Sequence, residues 1–217
     1  MEIVGHRGDP RHAPENTLAS LEMAWRHGRR AMEVDVRAGR DGVPVMCHDA
    51  TLERTTSARG PLAARSWPAL RALGISSVAD VLAAFRRRPA TLFFDVKVTG
   101  AERRLHREIV RAGMTGRCRI AASQPASLAV YRSLTPSLPV YRVTGSAQPI
   151  TPRLIAGARR VGLRGLLVFT RWVTAPLVRR CRAAGLELYV WTVRTAAEEQ
   201  RLRRLGVTGI MTEYCPR

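Results

Sequence analysis

The chain has 217 residues, of which 46% are hydrophobic and 24% charged, so it can bury a sizeable core and is expected to form one domain over 1–217. No apolar run is long enough to span a bilayer, and Cys47, Cys118, Cys181 and Cys215 lack the paired spacing of zinc sites, so they read as reduced thiols. The formal charge of +19 favours phosphate-bearing partners, but the arginines are spread over helical faces with few aromatics between them, which speaks against a specific nucleic-acid interface.

Met1 leads directly into a strand-like run over 2–4, without the basic and apolar regions of a secretory signal, and a cytoplasmic enzyme is expected. Gly5-His6-Arg7-Gly8 stands at the end of this run, and Pro14-Glu15-Asn16-Thr17 opens a helix. The glycines permit a tight turn and close approach of a ligand, His6 can exchange protons near neutral pH, and the planar fork of Arg7 suits phosphate. His12 and His27 read as solvent-facing.

A second run over 31–36 places Glu33 and Asp35 on one face and Met32, Val34 and Val36 on the other. Arg40-Asp41-Gly42-Val43 then predicts a hairpin with a two-residue loop, in which Arg40 pairs with Val43. That register sets Asp35 directly opposite His48, bringing two carboxylates to one imidazole. The segment 51–77 follows as a connection to a helix over 78–88.

Asp95 ends a third run, 91–96, behind the apolar Leu92, Phe93 and Phe94, and Lys97, the only lysine of the chain, shares its face. Three carboxylates completed by waters suit Mg²⁺ or Ca²⁺ better than zinc. Further runs at 118–122, 138–141, 166–169, 187–193 and 209–211 alternate with helical patterns at 101–112, 125–134, 152–161, 175–184 and 196–205. Eight strands alternating with helices predict an α/β fold, a TIM-type (β/α)8 barrel with a β-hairpin after the second strand. Inside such a barrel, ionised carboxylates need a cation or hydrogen-bonding partners.

The ordered motifs Gly5-His6-Arg7-Gly8, Pro14-Glu15-Asn16-Thr17, Glu33-Val34-Asp35, Asp41-Gly42-Val43-Pro44-Val45, His48-Asp49, Arg54-Thr55-Thr56, Asp95-Val96-Lys97, Trp191-Thr192-Val193 and Gly209-Ile210-Met211-Thr212-Glu213-Tyr214 span nearly the whole chain. Together they closely resemble the glycerophosphodiester phosphodiesterase family. The resemblance implies a phospholipase C-like barrel that hydrolyses glycerophosphodiesters to glycerol 3-phosphate and an alcohol. It implies acid/base roles for His6 and His48, metal binding by Glu33 and Asp35, phosphate contacts by Arg7 and Lys97, and an aromatic wall at Trp191 beside the glycerol. The attacking group is water or, as the resemblance suggests, the neighbouring glycerol hydroxyl through a cyclic phosphate.

Three departures from the family pattern stand out: Asp95 where glutamate is usual, Glu213 where aspartate is usual, and a shortened segment 51–77. One methylene less at Asp95 predicts a carboxylate about 1.5 Å short of a cation held by Glu33 and Asp35, with a water bridging the gap. Two rival readings are a lysophospholipase D or sphingomyelinase D-like enzyme, and a catalytically weak barrel that binds anionic membrane or nucleic acid. The expected partner is a small glycerophosphodiester, with contact to an anionic membrane surface as a further expectation.

Overall fold

Strand runs such as Leu92, Phe93 and Phe94 are apolar on both faces, which suits strands covered on both sides, and eight such strands close into a ring. The computed structural model describes residues 1–213, so Tyr214 and Cys215 lie outside the described residues. In chain order the strands are β1 (Glu2–Gly5), β2 (Ala31–Ala38), β3 (Pro44–Met46), β4 (Thr91–Val96), β5 (Cys118–Ala122), β6 (Val140–Val143), β7 (Gly165–Phe169), β8 (Glu187–Val193) and β9 (Gly209–Thr212). All but β3 pair in parallel, and β1 bonds to both β9 and β2, which closes the barrel. β3 lies outside the ring, antiparallel to β2.

The helices between strands are α1 (Leu18–Arg26), α2 (Trp67–Ala72), α3 (Val78–Phe85), α4 (Glu102–Arg111), α5 (Pro125–Leu134), α6 (Pro152–Arg160), α7 (Ala175–Ala183) and α8 (Ala196–Leu205). Thr17, Thr151, Thr174 and Thr195 each accept a backbone N–H at a helix start, and Ser77 with Asp80 forms a capping box on α3. The apolar faces of the helices and the outward faces of the strands make the main core, while Val4, Ala31, Phe93, Ala121, Tyr141, Leu167, Tyr189 and Met211 fill the barrel interior. Among the described residues no helix is long and apolar enough to cross a membrane, and Cys47, Cys118 and Cys181 are buried free thiols.

The expected strand over 138–141 begins two residues later, because Pro139 lacks an N–H for the ladder. The segment 51–77 holds α2, which the sequence reading did not anticipate, over a small separate core of Val45, Cys47, Leu52, Leu62, Leu70 and Ile75.

The hairpin register differs from the expected one. Val36 faces Met46, Arg37 faces Val45 and Ala38 faces Pro44, and the Gly39 N–H donates to Val43 O at 3.1 Å. The loop therefore has three residues, Arg40, Asp41 and Gly42, with Gly42 left-handed at φ 71°. This one-residue slip sets Asp35 opposite Cys47, whose N–H donates to Asp35 O at 3.0 Å, and His48 is not Asp35's cross-strand neighbour.

Candidate active site

Side chains alternate along β2 and β4, so Glu33, Asp35 and Asp95 point inward at the C-terminal end of the barrel, and Asp35 and Asp95 are register partners. One oxygen from each of the three lies within 4.8 Å of the others. Donors that bind opposite sides of an ion with bonds of about 2.4 Å are separated by about that distance, so Asp95 is within reach of direct contact as well as of the expected water bridge.

The β1–α1 loop locks this cluster in place. Arg7 and Asn16 adopt left-handed backbone conformations, at φ 58° and 55°. The Arg7 N–H donates to Glu33 Oε2 at 3.0 Å, while the Asn16 amide receives the Asp35 N–H and donates to Asp35 Oδ2, both at 2.9 Å. Backbone strain of this kind concentrates where a loop must aim polar groups at a site.

Two cations border three carboxylates. Lys97 Nζ lies 2.9 Å from Asp35 Oδ1 and 2.5 Å from Asp95 Oδ2, and Arg7 Nε lies 3.1 Å from Asp35 Oδ2. Burial opposes the charge of Asp35, but Lys97 and Arg7 outweigh it and hold the carboxyl down to about 2. Burial pushes Asp95 up, with Asp35 adding to the rise and Lys97 opposing it. Glu33, only 2% exposed, is raised well above the usual carboxylate range by burial, then by Asp35 and Asp95. It accepts the Arg7 N–H and faces His6 Nε2 at 3.9 Å. An all-oxygen donor set with one buried carboxylate short of positive charge fits a hard divalent cation.

Each of the two histidines singled out by the sequence is held by a carboxylate. His6 Nδ1 meets Glu213 Oε1 at 3.1 Å, and His48 Nδ1 meets Asp49 Oδ1 at 2.6 Å. Asp49 also receives Arg54 Nε, Arg54 Nη2 reaches Glu15 Oε1 at 2.6 Å, and Glu15 pairs with Arg7 at 3.0 Å. A continuous chain of ion pairs thus links His48 to Arg7. Beside it opens a cavity of about 310 Å³, lined in part by Glu15, Asn16, His48 and Arg54.

Trp191, on β8, packs edge-on against Phe169 with ring centroids 5.3 Å apart, and its buried Nε1 has no hydrogen-bond partner among the described residues. Glu213, Asp49, Asn16, Glu15 and Arg54 were given no roles by sequence reasoning. The family-like motifs Pro14-Glu15-Asn16-Thr17, His48-Asp49 and Arg54-Thr55-Thr56, and the departure at Glu213, marked these positions without giving them a task. His12 and His27 are partly exposed, but they do not simply face solvent, since both bond to Asp9.

A model of the glycerophosphoryl diester phosphodiesterase family matches residues 6–215. A glycerophosphodiester phosphodiesterase of Caldanaerobacter subterraneus subsp. tengcongensis is 25% identical over 231 residues, covering 97% of this chain and 93% of its own. The crystal structure of a putative glycerophosphodiester phosphodiesterase from Galdieria sulphuraria superposes with a TM-score of 0.90 at 21% identity, covering 98% of this chain and 94% of that one. A phosphodiesterase of Oleispira antarctica, solved in complex with the product sn-glycerol-3-phosphate, superposes with a TM-score of 0.87 at 21% identity, covering 99% of this chain and 94% of its own. At these identities the two superpositions speak to the fold.

Proposed function

The chain belongs to the glycerophosphoryl diester phosphodiesterase family, a family of hydrolases, and from that premise we propose that it hydrolyses glycerophosphodiesters to glycerol 3-phosphate and an alcohol at the C-terminal mouth of the barrel. The observation that carries this reading is a pair of histidines, each gripped through Nδ1 by a carboxylate, at the mouth that also holds three clustered carboxylates and two cations.

Glu33, Asp35 and Asp95 hold a divalent cation, Mg²⁺ or Ca²⁺, which when bound polarises the phosphoryl oxygens and offsets their charge. Arg7 and Lys97 stand beside these carboxylates and bind the remaining phosphate oxygens. Glu213 and Asp49 accept the Nδ1 proton of His6 and His48, which fixes the tautomer and leaves each Nε2 for proton transfer. One Nε2 takes the proton of the attacking hydroxyl, from water or from the neighbouring glycerol carbon, as the new P–O bond forms. The other gives its proton to the alcohol oxygen as the old P–O bond breaks. Where the glycerol hydroxyl attacks, the product is a cyclic phosphate. Water then opens it, one histidine taking the proton of the water and the other returning a proton to the glycerol oxygen, to give glycerol 3-phosphate. Trp191 walls the glycerol side of the site, with its indole N–H free to donate.

The test is release of glycerol 3-phosphate from glycerophosphocholine and glycerophosphoethanolamine, with Mg²⁺, with Ca²⁺ and with chelator. Turnover that needs the cation is expected. Full activity in chelator would sink the metal assignment, and no turnover of either diester with metal restored would sink the reaction. Preference for lysophosphatidylcholine would move the enzyme to the lysophospholipase D reading.

A further inference from the structure

Beside the loop that carries Arg7, and among groups given no role in the proposed reaction, two of the five histidines converge on one buried carboxylate. Asp9 is 5% exposed and tightly placed: its N–H donates to Ser20 O at 3.1 Å and Ser20 Oγ at 2.8 Å, and its carbonyl receives the N–H groups of His12 and Ala13. His12 Nδ1 lies 3.0 and 2.9 Å from its two carboxylate oxygens, and His27 Nδ1 lies 2.7 Å from Oδ2. The two rings stand edge to face with centroids 4.8 Å apart. Both imidazoles are aimed through Nδ1 at the one carboxylate, which brings two nitrogen donors and an oxygen donor to a single point.

We infer that Asp9, His12 and His27 form a site for a borderline divalent transition ion, with Zn²⁺ the ion of best fit. Two imidazole nitrogens and one carboxylate oxygen are the donors such an ion prefers, in contrast to the all-oxygen cluster at the barrel mouth. Three protein donors leave a fourth position to water. Around a tetrahedral ion with bonds of about 2.0–2.1 Å, donors stand roughly 3.3 Å apart, so the present contacts must widen by only about half an ångström. His12 and His27 can supply that movement, since their side chains are 49% and 35% exposed, while Asp9 stays fixed. On binding, a neutral imidazole moves its proton from Nδ1 to Nε2, and a protonated one releases a proton to solvent. The ion would clip the loop that carries Arg7 to His27 at the C-terminal end of α1.

The experiment is calorimetric titration of the full chain with ZnCl₂ in saturating Mg²⁺, which keeps the mouth carboxylates occupied. The expected result is one Zn²⁺ per wild-type chain, with His12→Ala and His27→Ala each weakening binding by at least about 10-fold. Circular dichroism checks that both variants are folded. Co²⁺ added in place of Zn²⁺ should give visible bands of nitrogen ligation that disappear in His27→Ala. The proposal is overturned if the wild type takes up no Zn²⁺ at about 100 μM. It is equally overturned if both variants bind Zn²⁺ as tightly as wild type.

Discussion

At the N-terminal end of the barrel, Glu2 receives Arg119 Nη1 and the Tyr189 hydroxyl, each at 2.6 Å, while Glu187 receives the Tyr141 hydroxyl and Arg164, also at 2.6 Å. Burial, reinforced by the carboxylates they bond, pushes both phenols up, so they remain donors. Two carboxylates there meet two guanidiniums and two hydroxyls. At the opposite end, three carboxylates share Arg7 and Lys97, and Arg7 is also drawn to Glu15. The first arrangement is electrically complete and suits a structural plug. The second is short of positive charge, which is what a cation-binding and phosphate-binding site requires before its ligands arrive.

The largest expected effect in breaking this contrast comes from Glu33→Gln. It should lower kcat/KM by about 10³-fold or more and, in metal-free buffer, raise Tm, because it removes a poorly compensated buried charge. The sign of the pH dependence follows from the raised folded-state pKa of Glu33. Between the unfolded and folded values the folded chain binds more protons, so metal-free stability should fall as pH rises through the folded value. Thermal melts across that range, with wild type and variant side by side, check this; a lower Tm in the variant would show that Glu33 is already satisfied.

Next in size, His6→Ala and His48→Ala should each lower kcat by about 10²-fold with the fold intact. A variant that keeps wild-type turnover would mark that histidine as structural. Glu213→Gln should cost about 10-fold in kcat with little change in KM, and Glu213→Asp should recover part of the loss, since the carboxylate orients His6 rather than touching substrate. A loss confined to KM would reassign Glu213 to substrate binding.

The smallest effect on turnover is expected from the complete end. Arg119→Met should leave kcat/KM within about 2-fold while lowering stability by about 2 kcal/mol, because Glu2 and Tyr189 lose their charged partner. Steady-state assays well below Tm, set beside denaturant melts, separate the two quantities. A large loss of activity with unchanged stability would show that the two ends are coupled.

Much of the fold was legible because strands buried on both faces leave apolar runs, and helix ends leave threonines and glycines. β4, β5, β8, α5 and α8 fall where the pattern predicts. The hairpin did not, because Gly39-Arg40-Asp41-Gly42 offers glycine at two places and the sequence alone does not choose between loops of two and three residues. Within the site, Glu33, Asp35, Asp95 and Lys97 could be grouped by strand alternation. The pairing of His6 with Glu213, and the convergence of His12 and His27 on Asp9, join loops and chain segments that share no period, so no local pattern announces them.

Where the ring closes, four residues of β1 pair with β9 and only two pair with β2. β1 therefore has most of its ladder supplied by β9, which is synthesised after every other described strand. His6 likewise waits for Glu213, which is 207 residues further on. Such long-range pairing is slow to form and must await synthesis of β9. A nascent chain that has reached only residue 205 already carries Arg7, Glu33, Asp35, His48, Asp95 and Lys97, yet it has neither a closed barrel nor the carboxylate that aims His6. Synthesis order alone keeps the proposed chemistry silent until β9 and Glu213 have been made.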